Sequence, residues 1–418
     1  MLTVLRSSWA LLLGIMLLML GNGMQGTLLG IRGSIEHFST LHMSIVMSAY
    51  FLGFLFGSRM APEMIRRVGH VRVFAALGSL ISAVLVMYAV SPNWIAWALM
   101  RVLIGFSFSG VYITAESWLN SAATNQTRGQ ALSLYLIMQM VGIIAAQFLL
   151  NVGDPSGYIL FVIPSILVSL AFTPILLTAA PAPSFGSTKA LSFLRLYRAS
   201  PLGCVGMFLL GGVFAAQFGM ASVWGTQAGL SVREISIFVA FIYVGGLVLQ
   251  YPIGWMSDRM DRRLLVLALT AIGAVVCAVP VLWNLLPFAD TPFVALVIVG
   301  ALTGGISNPV YSLLVAYVND YLDNSEMAGA SAGLMFINGL GAISGPLITG
   351  WLMAQIGPDG FFVVIAVLFA VLATYTGWRM TQRVAPSVNT SFTAITPNVS
   401  VIGIEAALEK TDEGHRRD

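Results

Sequence analysis

The sequence predicts an all-α membrane protein with twelve transmembrane helices in two pseudo-symmetric six-helix halves. The first observation is composition: the 418-residue chain is 58% hydrophobic and 9% charged, whereas soluble domains carry about a quarter charged residues. The second is that twelve apolar segments are long enough to cross a bilayer. The third is that one stretch of the first half recurs in the second half at a constant spacing. The lipid bilayer is therefore the expected partner, and a net charge of +3 does not indicate nucleic acid.

The twelve apolar segments follow one another through mostly short links with turn-forming residues. Their approximate limits are 9–31, 41–62, 71–91, 94–119, 129–151, 157–179, 201–224, 234–255, 264–286, 292–318, 328–355 and 360–379. The longest internal link is rich in Pro and Ser and carries basic residues, which is typical of a joint between two halves. We therefore expect a first six-helix half over 1–179, a cytoplasmic linker over 180–200, a second half over 201–380 and a disordered cytoplasmic tail over 381–418.

The distribution of arginine and lysine predicts the orientation of these helices. With the amino terminus inside, fourteen basic residues before the tail lie in cytoplasmic loops, and only Arg32 and Arg233 lie outside. Because cytoplasmic loops are enriched in positive charge, both termini are expected to be cytoplasmic. The first apolar run, Trp9 to Leu29, is too long for the core of a signal peptide and is interpreted as the first helix.

An internal repeat relates the two halves. The stretch "VYITAESWLNSAATNQ" at 111–126 aligns with "VYSLLVAYVNDYLDNS" at 310–325 at an offset of 199 residues, and Gly142 and Gly341 keep the same offset. A similar offset at separate places indicates a duplication. Two halves related by an axis along the membrane normal are an architecture of secondary transporters.

Several motifs resemble those of one transporter superfamily. "GWMSDRMDRR" at 254–263 and the more degenerate "GSRMAPEMIRRVGH" at 57–70 resemble a loop signature of the major facilitator superfamily, and "RVLIG" at 101–105 resembles its helix-four signature. With "AESWLN", "RGQALSLY" and "LQYPIGWMSDRMDRR", these stretches look like the YcaD-like major facilitators of bacterial inner membranes. The resemblance implies the major facilitator fold and transport across that membrane, with no cargo assigned. Import of a vitamin such as riboflavin is one candidate.

Charged residues near the cytoplasmic face are candidates for a gate. Asp258 can cap a helix end or pair with an arginine, and Glu116 lies near the inner end of the fourth helix, a short loop before Arg128. The resemblance implies inner-gate salt bridges, with Glu116, Arg128, Asp258, Arg259 and Arg262 as the candidates. The alternatives are that these charges only mark the cytoplasmic face or that Glu116 carries a proton.

A second charge, Arg101, lies inside the predicted fourth helix. A charge within a span is costly unless it faces a partner or a water-filled cavity. One interpretation is that Arg101 extends to the outer interface. The others are a polar partner on the first helix, for which Asn22 and Gln25 are candidates, or an anionic group of the cargo.

The resemblance implies a central cavity lined by helices one, four, seven and ten. Polar and aromatic residues on these helices are candidates to line it: Asn22, Gln25, Arg101, Tyr112, Thr114, Gln217, Trp224, Ser307, Asn308 and Tyr311. Each of them, taken singly, is also explained by a hydrogen bond or packing contact between helices. Because the middle of every span lacks Asp and Glu, a strongly cationic cargo is not expected.

The predicted function is a secondary active transporter that moves a small organic solute by alternating access. The fifth helix lacks the Gly-x-x-x-Gly-Pro pattern of drug exporters, so uptake is slightly favoured. The alternatives are a proton-coupled drug or metabolite exporter and a non-transporting membrane sensor. Coupling of uptake to a proton is one of the options that the sequence allows. An enzyme is not predicted, because no His-Glu-x-x-His and no acid pair at mid-membrane occurs. We expect a monomer without a metal or cofactor.

Overall fold

The chain is helical throughout the part that the structure describes. The computed structural model describes residues 2–122, 128–176, 192–285, 291–383, 394–395 and 400. Over these residues every regular element is a helix and no strand is present. The all-α prediction is therefore confirmed.

Six long helices and a short 3₁₀ turn make up the first half of the chain. They are α1 (Leu2–Ile35), α2 (Thr40–Val68), α3 (His70–Val90), α4 (Trp94–Ala122), α5 (Arg128–Leu149), the 3₁₀ turn Leu150–Val152 and α6 (Ile159–Leu176). The second half begins with a seven-residue helix, α7 (Phe193–Ala199).

The seventh predicted span is a helix with an irregular centre. It consists of α8 (Pro201–Ala215), a π-helical turn Ala216–Met220 and α9 (Ala221–Gln227). The remaining helices are α10 (Val232–Ser257), α11 (Arg262–Asn284), α12 (Phe293–Asn319), α13 (Asn324–Ile356) and α14 (Gly360–Gln382). A π turn inside an α-helix is rare and occurs often at functional sites.

The number of membrane-crossing helices agrees with the prediction. Among the described residues, eleven helices are long and apolar enough to cross a membrane, and a shorter apolar helix covers Ile159–Pro174. Together they correspond one to one with the twelve predicted segments. The chain is a multi-pass membrane protein.

Local sequence explains where several of these helices begin. Ser231 and Glu234 form a capping box at the start of α10, in which each side chain bonds the other residue's backbone. Asp261 accepts a hydrogen bond from the backbone of Arg263 and starts α11. The Ser200 side chain accepts from the Gly203 backbone at the start of α8. These caps satisfy N–H groups that a helix terminus leaves without partners.

The helices form two compact units. Unit 1 comprises Met1–Leu28, Ala49–Lys189 and Asn398–Asp418, and unit 2 comprises Leu29–Ser48 and Ala190–Pro397. The predicted halves followed chain order, whereas the units divide α1 and α2 between them. Within unit 2 the reason is visible at Ser48, whose hydroxyl donates to the Ile343 carbonyl at 2.5 Å.

The predicted tail lies mostly outside the described residues. Two residues that the structure does describe there, Ile395 and Ser400, are only 2% and 3% exposed. The linker over 180–200 is described from Ser192 onward, where α7 follows.

Glycine packs the equivalent helices of the two units in the same way. A Cβ added to Gly105 on α4 would overlap the backbone of Tyr50 on α2, and one added to Gly304 on α12 would overlap the backbone of Ile242 on α10. Gly105 and Gly304 are 199 residues apart, the offset of the sequence repeat. Small residues allow such close approach of helices in a membrane.

A second glycine pair supports the duplication. Gly142 on α5 packs against the backbone of Met16 on α1, and Gly341 on α13 packs against that of Phe208 on α8. Gly142 and Gly341 also keep the 199 offset, whereas Met16 and Phe208 are 192 residues apart. Helices one and seven are therefore related by a slightly different offset from helices four and ten.

We expect Gly105→Ala and Gly304→Ala to destabilise the protein by about 1–3 kcal/mol or more, since the new methyl group meets backbone that cannot move aside. Thermal unfolding in detergent, followed with size-exclusion profiles, measures the effect. Gly26→Ala on α1 is the control, because nothing lies within 4 Å of the added methyl. Equal unfolding temperatures for all three variants would contradict this packing.

Candidate functional site

Arg101 is buried inside unit 1 and does not reach the lipid interface. Its side chain lies on α4 and is 4% exposed. Nη1 donates to Oε1 of Gln25 on α1 at 3.1 Å, and the guanidinium carbon lies 4.8 Å from the centroid of the Tyr50 ring. An amide oxygen and an aromatic face are both favourable partners for a desolvated cation. The predicted partner on the first helix is therefore found at Gln25, and the interface interpretation does not fit.

The second amide on the first helix makes a different contact. Asn22 Nδ2 donates to the hydroxyl of Tyr112 at 3.3 Å, and that hydroxyl lies 3.4 Å from the sulfur of Met19. Tyr112 is fully buried. Thr114 lies two residues further along α4 and donates to the Gly110 carbonyl of its own helix at 2.8 Å. Its hydroxyl hydrogen is thus used inside α4.

In unit 2 the π turn carries Gln217, and the side chain is 1% exposed. Its Oε1 accepts from the hydroxyl of Ser307 on α12 at 3.1 Å. Gln25 and Gln217 are 192 residues apart, the spacing that relates helices one and seven. The same position in each unit therefore carries a glutamine whose oxygen accepts from the fourth helix of that half, from Arg101 in one unit and from Ser307 in the other.

Aromatic rings lie beside Gln217. Phe214 stacks on Phe218 with ring centroids 5.7 Å apart, and Phe218 stacks on Tyr243 at 4.6 Å. Tyr311, at the repeat position of Tyr112, meets the Phe214 ring edge to face at 6.0 Å. These rings therefore pack on one another as an aromatic stack beside Gln217.

Two buried donors in this region have no hydrogen-bond partner. They are Nε2 of Gln217 and the hydroxyl of Tyr311. An unpartnered buried polar group costs about 1–3 kcal/mol, so such groups in a folded protein call for a ligand or water. We name Gln217, Ser307, Tyr311, Phe214 and Phe218 the Gln217 cluster.

The remaining predicted cavity residues have structural contacts. Asn308 Nδ2 donates to Gly304 of its own helix at 3.1 Å. Trp224 is 3% exposed, with ring centroids of Phe238 and Phe362 at 4.7 and 5.0 Å. Trp224 therefore belongs to an aromatic core at the end of unit 2.

At the predicted gate, the partner of Arg262 is a residue that the motif did not indicate. Arg262 is 1% exposed, and its Nη1 lies 2.6 Å from both carboxylate oxygens of Asp320 at the end of α12. Asp258, the expected partner, lies 3.9 Å away with a side chain 44% exposed. The only signal for Asp320 was its place in the repeated stretch that ends "VNDYLDNS".

The other charges of the loop motif bind locally. Arg259 lies 4.1 Å from the Trp255 ring centroid and donates to the Trp255 carbonyl. Arg263 lies 2.7 Å from Asp261. Burial of Asp261 acts to raise the pKa of its carboxyl, but the hydrogen bonds and charge of Arg263 outweigh burial and hold that pKa below its ordinary value. The Asp261 carboxylate therefore stays ionised at the start of α11.

Glu116 contacts hydroxyl and amide donors. Its side chain is 2% exposed, and Oε1 accepts from the Tyr135 hydroxyl at 2.8 Å. Oε2 accepts from the backbone N–H of Ser400 at 2.8 Å and from the Ser400 hydroxyl. The side chain of Arg128, its predicted partner, lies outside the described residues. Sequence reasoning found Glu116 but missed Ser400, which follows the last helix in a stretch without periodicity.

We expect Asp320→Asn to destabilise unit 2 by about 3–5 kcal/mol, because it leaves the buried guanidinium of Arg262 without its counter-charge. Asp258→Asn, which changes a half-exposed carboxylate four residues from Arg262, serves as the matched control and should leave stability nearly unchanged. The unfolding midpoints of the two purified variants show which carboxylate, Asp320 or Asp258, stabilises the buried Arg262. If Asp258→Asn has the larger effect, the assignment of Asp320 as partner is wrong.

Comparison with known proteins identifies the family of the chain. The family model of the Major Facilitator Superfamily matches residues 11–232 and again 202–403. The chain is 27% identical over 369 residues to the uncharacterized MFS-type transporter YcaD of Escherichia coli (strain SMS-3-5 / SECEC), covering 87% of this chain and 93% of that protein. The YcaD protein of Shigella dysenteriae serotype 1 (strain Sd197) matches equally.

Two solved structures show a similar fold. The nucleoside transporter NupG has a TM-score of 0.72 at 14% identity, covering 90% of this chain and 99% of that one. A bacterial homolog of the human lysosomal transporter Spinster, inward-facing and occupied, has a TM-score of 0.68 at 16% identity, covering 90% and 98%.

Proposed function

Because the chain belongs to the Major Facilitator Superfamily, we propose that it is a secondary active transporter that carries a small organic solute by alternating access. Membership of that family supports a transporter rather than an enzyme. The similarity to YcaD supports the bacterial inner membrane, and the arginine and lysine distribution supports cytoplasmic termini. Uptake is slightly favoured over export, and the monomer is the proposed working unit.

The observation that carries the solute class is the set of unpartnered donors in the Gln217 cluster. Gln217 Nε2 and the Tyr311 hydroxyl can both donate to a solute, and the aromatic stack of Phe214, Phe218 and Tyr243 lies beside them. The proposed solute therefore carries carbonyl or carboxylate oxygens and a flat ring that can join this stack.

The buried Arg101 supports an uncharged or anionic solute. A permanent cation in unit 1 attracts negative charge, and the sequence places no Asp or Glu near the middle of any span to bind a cation. Riboflavin is a flat, carbonyl-rich molecule, but the relatives named above carry no such assignment. The proposal therefore names a chemical class and not a vitamin.

A thermal-shift screen of the purified protein tests this class. A solute present at 100 times its Kd stabilises a folded protein by about 2.7 kcal/mol. Nucleosides, nucleobases, flavins and aromatic carboxylates should give shifts, whereas polyamines should not. Flux of a hit into proteoliposomes separates a transporter from a sensor, and an imposed pH gradient reveals a coupling proton. Expulsion against a gradient, or binding without flux, would contradict uptake.

We expect Gln217→Ala to weaken binding of the screened solute at least tenfold, since it removes a donor from the Gln217 cluster. Thr114→Val is the matched control, because the Thr114 hydroxyl is used inside its own helix. Isothermal titration with both variants measures the change. Equal Kd values for the two variants would remove Gln217 from the cargo site.

Arg101→Ala should reduce the flux of the same solute at least tenfold. The substitution removes the cation and leaves Gln25 without its donor. Arg101→Lys keeps the charge but loses the planar fork that bonds the amide, so partial flux is expected. Expression level and elution profile report folding. Full flux in Arg101→Ala would show that Arg101 serves packing alone.

A further inference from the structure

The short helix α7 is fixed to unit 2 along one side. Leu196 is fully buried against Gly333 of α13, since a Cβ added to that glycine would lie 2.7 Å from Leu196 Cδ2. The carbonyl of Ala199, the last residue of α7, accepts from Nη1 of Arg383 just after α14 at 2.7 Å. The helix therefore belongs to the end of unit 2 at which α8 begins and α14 ends.

The other side of α7 is apolar and exposed. Phe193, Leu194 and Tyr197 are 51%, 60% and 50% exposed. They are spaced i, i+1 and i+4 and so share one face of the helix. Because α7 lies in the predicted linker and outside every predicted span, the hydrocarbon core that surrounds the spans does not account for this face. Helices with an apolar face that do not cross the bilayer are typical of the membrane interface.

The end of α14 continues the exposed surface of α7. Trp378 is 54% exposed, and the centroids of the Trp378 and Tyr375 rings are 5.6 Å apart. Tyr375 also interacts with Tyr197 of α7. The guanidinium carbon of Arg379 lies 5.6 Å from the centroid of the Trp378 ring. Tryptophan and tyrosine are enriched where a membrane meets water. We name these residues the interface face: Phe193, Leu194, Tyr197, Arg198, Trp378 and Arg379.

The charge of this surface is positive. Neither α7 nor the stretch 375–383 contains Asp, Glu or Lys, and each contains two arginines. Arg195 forms an ion pair with Glu326 at the start of α13. Arg198 is exposed at the end of α7, and Arg379 lies beside the exposed Trp378 ring. Guanidinium groups bind phosphate oxygens through two parallel N–H bonds, so the two arginines suit a phosphate at the edge of an apolar surface.

We propose that the interface face binds an anionic phospholipid. Arg198 and Arg379 bind the phosphate of the headgroup, and the apolar side chains of α7 contact the beginning of the acyl chains. The tyrosine and tryptophan rings lie between them, at the level of the headgroup. Positive charge beside an apolar surface complements an anionic lipid, because basic residues next to a membrane are attracted to its negative surface. The surface lies entirely within unit 2, and its occupation is independent of cargo and transport.

Lipid binding by the full-length protein in detergent tests this proposal. Native mass spectrometry measures the Kd of the first bound lipid, with dioleoyl phosphatidylglycerol as the anionic probe and dioleoyl phosphatidylcholine as the zwitterionic one. The anionic lipid should bind at least tenfold more tightly, and the preference should fall below threefold when Arg198→Gln and Arg379→Gln are combined. Arg233→Gln is the matched control, because it removes an exposed arginine at the start of α10, one whole span further along the chain.

Elution profiles of the three proteins report folding. An unaltered protein without preference for the anionic lipid would overturn the proposal, and so would a combined variant that keeps the full preference.

Two further measurements identify the ligand and its place. Excess inorganic phosphate should displace phosphatidylglycerol no better than sodium chloride of equal ionic strength, because the ion lacks acyl chains; stronger displacement would assign the surface to free phosphate and overturn the proposal. At one bound lipid per protein, phosphatidylglycerol with brominated acyl chains should quench a smaller fraction of the tryptophan fluorescence in Trp378→Phe than in the unaltered protein. Equal fractions would place the lipid elsewhere and overturn the assignment.

Discussion

Every polar side chain within the membrane helices has to find its partner inside the protein, because hydrocarbon offers none. This constraint explains why Arg101 turns to Gln25 and Tyr50. At the cytoplasmic end, burial inside the protein imposes a similar requirement on Arg262, which bonds both carboxylate oxygens of Asp320. The same constraint makes an unsatisfied donor informative. Gln217 Nε2 and the Tyr311 hydroxyl are among several buried polar atoms of the described residues without hydrogen-bond partners, and a solute that bonds to them would remove the cost of burying them.

The two repeated halves share close helix packing at equivalent glycines but differ in their polar residues at equivalent positions. Glycines at the 199 offset, Gly105 with Gly304 and Gly142 with Gly341, serve the same close helix contacts in both units. Arg101 corresponds in the repeat to Gly300, which packs beside Phe238. Close packing is a geometric requirement that each six-helix unit must meet alone, so it was retained twice. A cation is needed in one unit only, and the chemistry specific to this protein lies where the repeats differ.

The predictions succeeded where periodicity and hydropathy carry the signal. Length and composition predict the spans, and the cost of a charge in lipid made a polar partner on helix one one of the interpretations of Arg101. They failed where the contact joins residues distant in sequence without a motif. Asp320 lies 58 residues from Arg262 and Ser400 lies 284 from Glu116, and no local pattern links them. The sequence also did not predict the π turn at Gln217, because its residues have the pattern of an ordinary apolar α-helix.

The equivalent glutamines of the two units have different freedom. Gln25 accepts from a permanent cation in a charge-assisted bond, whereas Gln217 accepts from the neutral hydroxyl of Ser307. The first bond is the stronger one and holds the amide in place. The second can be exchanged, since a solute hydroxyl or N–H can replace the Ser307 hydroxyl as the donor to Gln217 Oε1. The π turn at the same residue interrupts the regular α-helical hydrogen-bond pattern. Gln25 is therefore best understood as a residue that positions Arg101, and Gln217 as the amide that can turn toward a solute.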